Sequence, residues 1–122
     1  MKAKQFSIRV RANSFRYAWE GVSTFFAQEH NAWIHLAASI SVLIAAWCFK
    51  VSNTEMMLLI IVTGLVWVTE IINTAVEKLA DFVSPGYHPK IKLIKDLSAA
   101  AVLVAAFISM VTGAFIFIPK FF

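Results

Sequence analysis

Glu70, Asn73, Glu77 and Asp81 are spaced to share one face of a helix. At roughly 100° per residue they fall within an arc of about 80°. They stand where a long apolar segment, Met56 to Phe82, runs out. Ionisable groups at membrane depth cost free energy, and their default reading is a functional site. Glu29, Glu70, Glu77, Asp81 and Asp96, with Lys95 and His88, have the chemistry of a site for Mg²⁺ and phosphate. Mg²⁺ takes one or two carboxylates and lets water and substrate phosphates complete its shell. Glu29 and Glu77 lie near the interface and suit that task. Glu70 lies seven residues before Glu77, about 10 Å deeper by helix rise. A partly desolvated Glu there suits a general base acting on a hydroxyl. Ion or proton passage is the competing use of such an acid.

The elements that position these residues are apolar helices. Of 122 residues, 60% are hydrophobic and 15% charged, against about 25% charged in an ordinary soluble domain. The mean hydropathy is +0.74. Three runs approach or reach the roughly 17–25 residues that cross a bilayer: 32–49, 56–76 and 97–118. The expectation is an all-α membrane protein forming one domain over residues 1–122. No soluble domain can be built from the remainder. Three helices enclose little interior, so burying Glu70 and Glu77 is expected to need several copies of the chain.

Residues 6–28 read as an amphipathic helix in the membrane surface. Phe15, Trp19, Val22 and Phe26 recur at helical spacing, flanked by Arg9, Asn13, Arg16 and Glu20. Lys50 to Glu55 forms a short linker, with a cap expected within Asn53-Thr54-Glu55. Residues 78–96 read as a polar loop, opened by the helix-breaking Ser84-Pro85-Gly86. Nine of the 11 Lys and Arg residues, Lys2 and Lys4 included, fall in residues 1–31 and 78–96. That bias puts the N-terminus and the long loop in the cytoplasm and the C-terminus outside. The net charge of +4 is explained by topology and anionic lipid and calls for no nucleic acid. Cys48 is the only cysteine and offers no redox pair or metal cluster. The first apolar run begins after about 30 residues, unlike a signal peptide.

Neither G-x-x-x-x-G-K-S/T nor G-x-G-x-x-G occurs, and four glycines cannot make a glycine-rich phosphate cradle. D-F-G and H-R-D are missing as well. Asn73 could instead join helices. Glu77 could be a solvated helix end, and His35 a satisfied bundle histidine. Trp33, Trp47 and Trp67 read as belt or packing residues.

The segment Glu70-Ile71-Ile72-Asn73-Thr74-Ala75-Val76-Glu77-Lys78-Leu79-Ala80-Asp81 resembles the signature E-I/L-x-N-S/T-A-I/V-E-x-x-x-D of the prokaryotic diacylglycerol kinase family. These are small trimeric integral-membrane lipid kinases, undecaprenol kinases among them. Lys95-Asp96-Leu97-Ser98-Ala99-Ala100-Ala101-Val102 is similar to the family's K-D-x-x-A/S-A/G-A-V. Tyr17-Ala18-Trp19-Glu20-Gly21, Glu29 and Ser84-Pro85-Gly86-Tyr87-His88-Pro89 stand at the expected places. The resemblance spans about residues 9–118.

The resemblance implies transfer of the ATP γ-phosphate to a lipid hydroxyl by a homotrimer in the bacterial inner membrane, with sites shared between subunits. Glu70 would be the catalytic base. Glu29 and Glu77 would hold Mg²⁺ or another divalent cation and its phosphates. Arg11 (Arg9 being the alternative), Tyr17, Asn73, Asp81, Gly86, Tyr87, His88, Lys95 and Asp96 would join them at ATP. Trp19, Glu70 and Ala99 would meet the lipid. Glu29-His30-Asn31-Ala32-Trp33-Ile34-His35 is similar to the E-x-N-x-x-I-H pattern of the undecaprenol branch. Diacylglycerol enzymes tend to carry an acid at the His35 position. Undecaprenol is therefore the favoured acceptor and diacylglycerol the runner-up.

Overall fold

The computed structural model describes residues 5–122. Lys2 and Lys4, which contribute to the charge bias, lie outside them. The described chain is helical throughout: α1 (Ile8–Gln28), α2 (His30–Cys48), α3 (Asn53–Val83), α4 (Pro89–Phe117) and a 3-10 turn (Ile118–Phe121). It divides into two compact units, Met1–Ile34 and His35–Phe122. α2, α3 and α4 with its 3-10 extension are long and apolar enough to cross a membrane.

In the first unit, α1 starts at Ser7, whose Oγ accepts from the Val10 N–H at 3.4 Å. It ends at Glu29, whose extended backbone still donates its N–H to the Phe25 carbonyl at 3.0 Å. The corner into α2 is closed by Trp33, which donates Nε1–H to the Phe26 carbonyl at 2.9 Å and stacks edge-on against that ring. Phe15 and Trp19 are 79% and 70% exposed on α1. These large apolar rings are left uncovered in the single chain.

The second unit is tied at the end opposite the acid stripe. Ala46, Leu59 and Ile116 from α2, α3 and α4 form a buried cluster, with Val42, Val51, Met56 and Phe117 packed against it. α2 closes by a Schellman motif, with Val51 N–H to the Ala46 carbonyl at 3.2 Å and Lys50 N–H to that of Trp47 at 3.3 Å. Lys50 takes the left-handed conformation there, at φ 53°, where glycine is the usual occupant. Lys120 donates to Glu55 at 3.1 Å and fastens the chain's last turn to the start of α3.

Three boundaries differ from the sequence reading. The cap of α3 is Ser52, one residue before the expected turn, and it forms a reciprocal box with Glu55: the Ser52 N–H reaches Oε1 at 2.9 Å and the Glu55 N–H reaches Ser52 Oγ at 3.1 Å. The polar loop expected over 78–96 shrinks to residues 84–88, because α3 continues to Val83 and α4 begins at Pro89. Hydropathy marks where a helix leaves the apolar layer, not where it ends; lysines are good helix formers. The helix that carries the third apolar run correspondingly starts at 89, eight residues before that run begins at 97. Both breaks fall on residues that precede prolines, Ser84 and His88, which are held extended by the ring that follows. Pro89 then opens α4, where its missing N–H costs nothing.

Replacing Ser52 by Ala is expected to cost about 0.5–2 kcal/mol. Asn53→Ala is expected to leave thermal unfolding in detergent nearly unchanged.

Candidate active site

The inward face of α3 changes chemistry along its length. Leu59, Val62 and Val66 are buried, and the next positions on the same stripe are Glu70 and Thr74, also buried. Asn73, Glu77 and Asp81 continue that stripe by helical spacing. Glu70 is 7% exposed, the only buried charged residue among those described. Of the two acids whose burial was expected to need several copies, Glu70 is already buried within one chain. Glu77 is half-buried, and Asp81 is exposed.

Burial of a carboxylate requires a donor. Glu70 finds one in His35, whose Nε2 lies 2.8 Å from Oε1. Around this pair, Trp67 donates Nε1–H to Ser39 Oγ at 2.8 Å, and Ser39 Oγ–H donates to the His35 carbonyl at 2.7 Å. These contacts pair His35 and Ser39, one turn apart on α2, with Trp67 and Glu70, one turn apart on α3. From sequence His35 could be a satisfied bundle histidine and Trp67 reads as a belt or packing residue; neither reading joins them to Glu70. The available signal was the matching one-turn spacing of the two pairs on neighbouring apolar helices.

Further along the stripe, Asn73 Oδ1 is buried with no hydrogen-bond partner. Among the described residues Glu77 makes no ion pair or hydrogen bond. An unpaired carboxylate and an orphaned amide oxygen one turn apart are the hard oxygen donors that Mg²⁺ prefers. No group of three or more His, Cys, Asp or Glu among the described residues could hold an ion alone. A cation arriving with its own phosphate ligands fits this incomplete set better than a resident metal.

Beyond the stripe lies an open cleft of about 410 Å³ around the α3–α4 turn. It gathers Asp81, Gly86, Tyr87, His88, Lys95 and Asp96, all singled out in the sequence, and Lys92 besides. Ser84 Oγ–H donates to the Gly86 carbonyl at 3.0 Å, and His88 Nδ1 accepts the Lys90 N–H at 3.1 Å, shaping the turn. Lys95 pairs with Asp81 across the helices, and Lys92 with Asp96 at 2.5 Å along α4. The cleft thus carries lysines, acids and an exposed tyrosine at the helix ends, a lining suited to a polyanion with a planar ring.

Glu29 lies half-buried at the α1–α2 corner of the first unit. Arg11, Tyr17 and Trp19 stand exposed on α1. Arg11 lies over the Phe6 ring at 5.5 Å and Arg16 over Tyr17 at 5.2 Å. Ala99 is exposed on α4, one turn past Lys95.

The family model described as prokaryotic diacylglycerol kinase matches residues 16–117. A diacylglycerol kinase of Synechocystis is 37% identical over 87% of this chain and 61% of its own length. The chain therefore spans under two thirds of that relative. The undecaprenol kinase of Bacillus subtilis is 36% identical over 88% of this chain and 87% of its own. The diacylglycerol kinase of Escherichia coli K12 is 33% identical over 79% of each chain.

The Asp81–Lys95 pair is solvent-exposed, with side chains 64% and 37% accessible. Such pairs contribute about 0.2–1 kcal/mol. Asp81→Asn is expected to leave the melting temperature in detergent within a few degrees; a collapse would make the pair a structural clamp.

Proposed function

The chain belongs to the prokaryotic diacylglycerol kinase family, and from that premise we propose that it is a lipid kinase of the bacterial inner membrane. It transfers the γ-phosphate of Mg-ATP to a lipid hydroxyl, with undecaprenol as the acceptor. The observation that carries this reading is the buried Glu70 at membrane depth, at the head of a polar stripe that leads to the cleft at the α3–α4 turn.

The roles follow the gradient of burial. Glu70 takes the proton of the lipid hydroxyl as that oxygen attacks the γ-phosphorus. The bond from phosphorus to the β–γ bridging oxygen breaks, and ADP leaves. Glu77 and Glu29 hold the cation with its phosphates, and Asn73 completes the polar network beside them. Lys95 offers positive charge to the phosphates, with Asp81 and Asp96 orienting the lysines. Gly86, Tyr87 and His88 bound the nucleotide from the turn; Arg11 and Tyr17 contribute from α1. Phosphoryl transfer depends on positioning and charge neutralisation, so these groups suffice without a glycine-rich loop. The lipid lies against Trp19 and Ala99, with its hydroxyl at Glu70.

α1 lies in the cytoplasmic membrane surface, the N-terminus is cytoplasmic and the C-terminus outside. The chain works as a homotrimer with shared sites. Two observations support this: large apolar residues remain exposed along the three long helices, and the cleft is open on one side in a single chain. The acceptor is read as undecaprenol from His35 and its surrounding E-x-N-x-x-I-H pattern, and from the Bacillus subtilis relative's name.

Two variants separate the roles. In detergent micelles containing undecaprenol, Glu70→Gln is expected to abolish phosphoryl transfer while the protein still binds ATP. Glu77→Gln is expected to abolish metal-dependent ATP use. Full activity in either variant would overturn that residue's assignment.

A further inference from the structure

A base that must deprotonate one hydroxyl needs one carboxylate oxygen held and the other free. Glu70 Oε1 is held by His35 at 2.8 Å, and among the described residues Oε2 has no partner. We propose that His35 is the positioning residue of this site: its Nε2–H donates to Oε1 of Glu70 and aims Oε2 at the lipid hydroxyl. This inference rests on the lipid-kinase reading above.

His35 is well placed to orient because it is itself anchored. Its carbonyl accepts from Ser39 Oγ–H, and Ser39 Oγ is fixed in turn by the Trp67 indole. Trp67 sits three residues before Glu70, so the helix that carries the base also braces the residue that aims it. Its ring lies 6.2 Å from the imidazole, tilted at 59°. His35 also lines a cavity of about 180 Å³ at the same depth, and every other residue lining it is uncharged. Glu70 is thus the one ionisable acceptor offered to the imidazole. Asn73, the nearest polar residue along the stripe, has an unpartnered Oδ1 and does not share the task. A hydrogen bond to a carboxylate in such surroundings is short and directional, and its loss leaves the acid buried and free to turn.

The test compares His35→Gln, His35→Asn and His35→Leu in micelles containing undecaprenol and Mg-ATP. Gln can bring an amide N–H to the place of Nε2; Asn is too short, and Leu has no donor. A misplaced reacting group costs up to about 100-fold. His35→Asn and His35→Leu are therefore expected to lower kcat about 10–100-fold, with the KM for ATP within about twofold of the unaltered protein. His35→Gln is expected to recover most of the loss. If the leucine variant does not fold, the two amides, alike in polarity and different in reach, decide the question. Full kcat in His35→Asn, or Gln falling as far as Asn, would overturn the positioning role while leaving the kinase reading intact. Unaltered protein that phosphorylates no lipid alcohol would overturn the reading and this inference together.

Discussion

A carboxylate buried in a membrane-spanning helix needs a donor, and that requirement organises the second unit. Glu70 occupies the buried stripe of α3, where Leu59, Val62 and Val66 set the pattern. His35 from α2 meets the requirement. The Trp67–Ser39 bond one turn away sets the same register between α2 and α3. A slip of either helix by one turn would break both contacts and leave a buried acid unpaired, which is strongly destabilising. A single polar demand thus specifies the pairing of two helices whose apolar surfaces carry little directional information.

The remaining polar residues are arranged by depth along α3. Glu70 is buried, Asn73 and Glu77 are half-buried, and Asp81 is exposed beside the cleft. In the proposed reaction a lipid hydroxyl would come from the apolar end of that gradient and a nucleotide from the aqueous end, which puts phosphoryl transfer between them, near Asn73 and Glu77. Among the described residues Asn73 Oδ1 and Glu77 have no hydrogen-bond partner. Unfilled bonding capacity at the middle of the gradient is what the proposed Mg-ATP site requires. The apolar helix surfaces still exposed on the single chain are compatible with the proposed trimer.

Much of this was legible in the residues. Helical spacing alone put Glu70, Asn73, Glu77 and Asp81 on one face, and hydropathy located the three spans. The motif residues of the turn and of α4 foretold the cleft lining, because turn and helix start are neighbours in sequence. Tertiary register was not legible. Nothing local says that His35 meets Glu70, since that contact joins residues 35 positions apart. Charged residues at 78–96 suggest a loop in sequence, yet they form polar extensions of α3 and α4 beyond the apolar runs. Ser52 was passed over as the cap because Asn53 beside it is an equally good capping type; only the reciprocal bonds with Glu55 distinguish them.

The most direct measurement offers purified protein and γ-labelled Mg-ATP a mixture of undecaprenol, diacylglycerol and ceramide in one micelle. Label is expected predominantly in undecaprenyl phosphate, at a rate that falls to background when the divalent cation is chelated. Label confined to diacylglycerol would contradict the acceptor, and label in none of the three would contradict the account of Glu70 as a base for lipid phosphorylation.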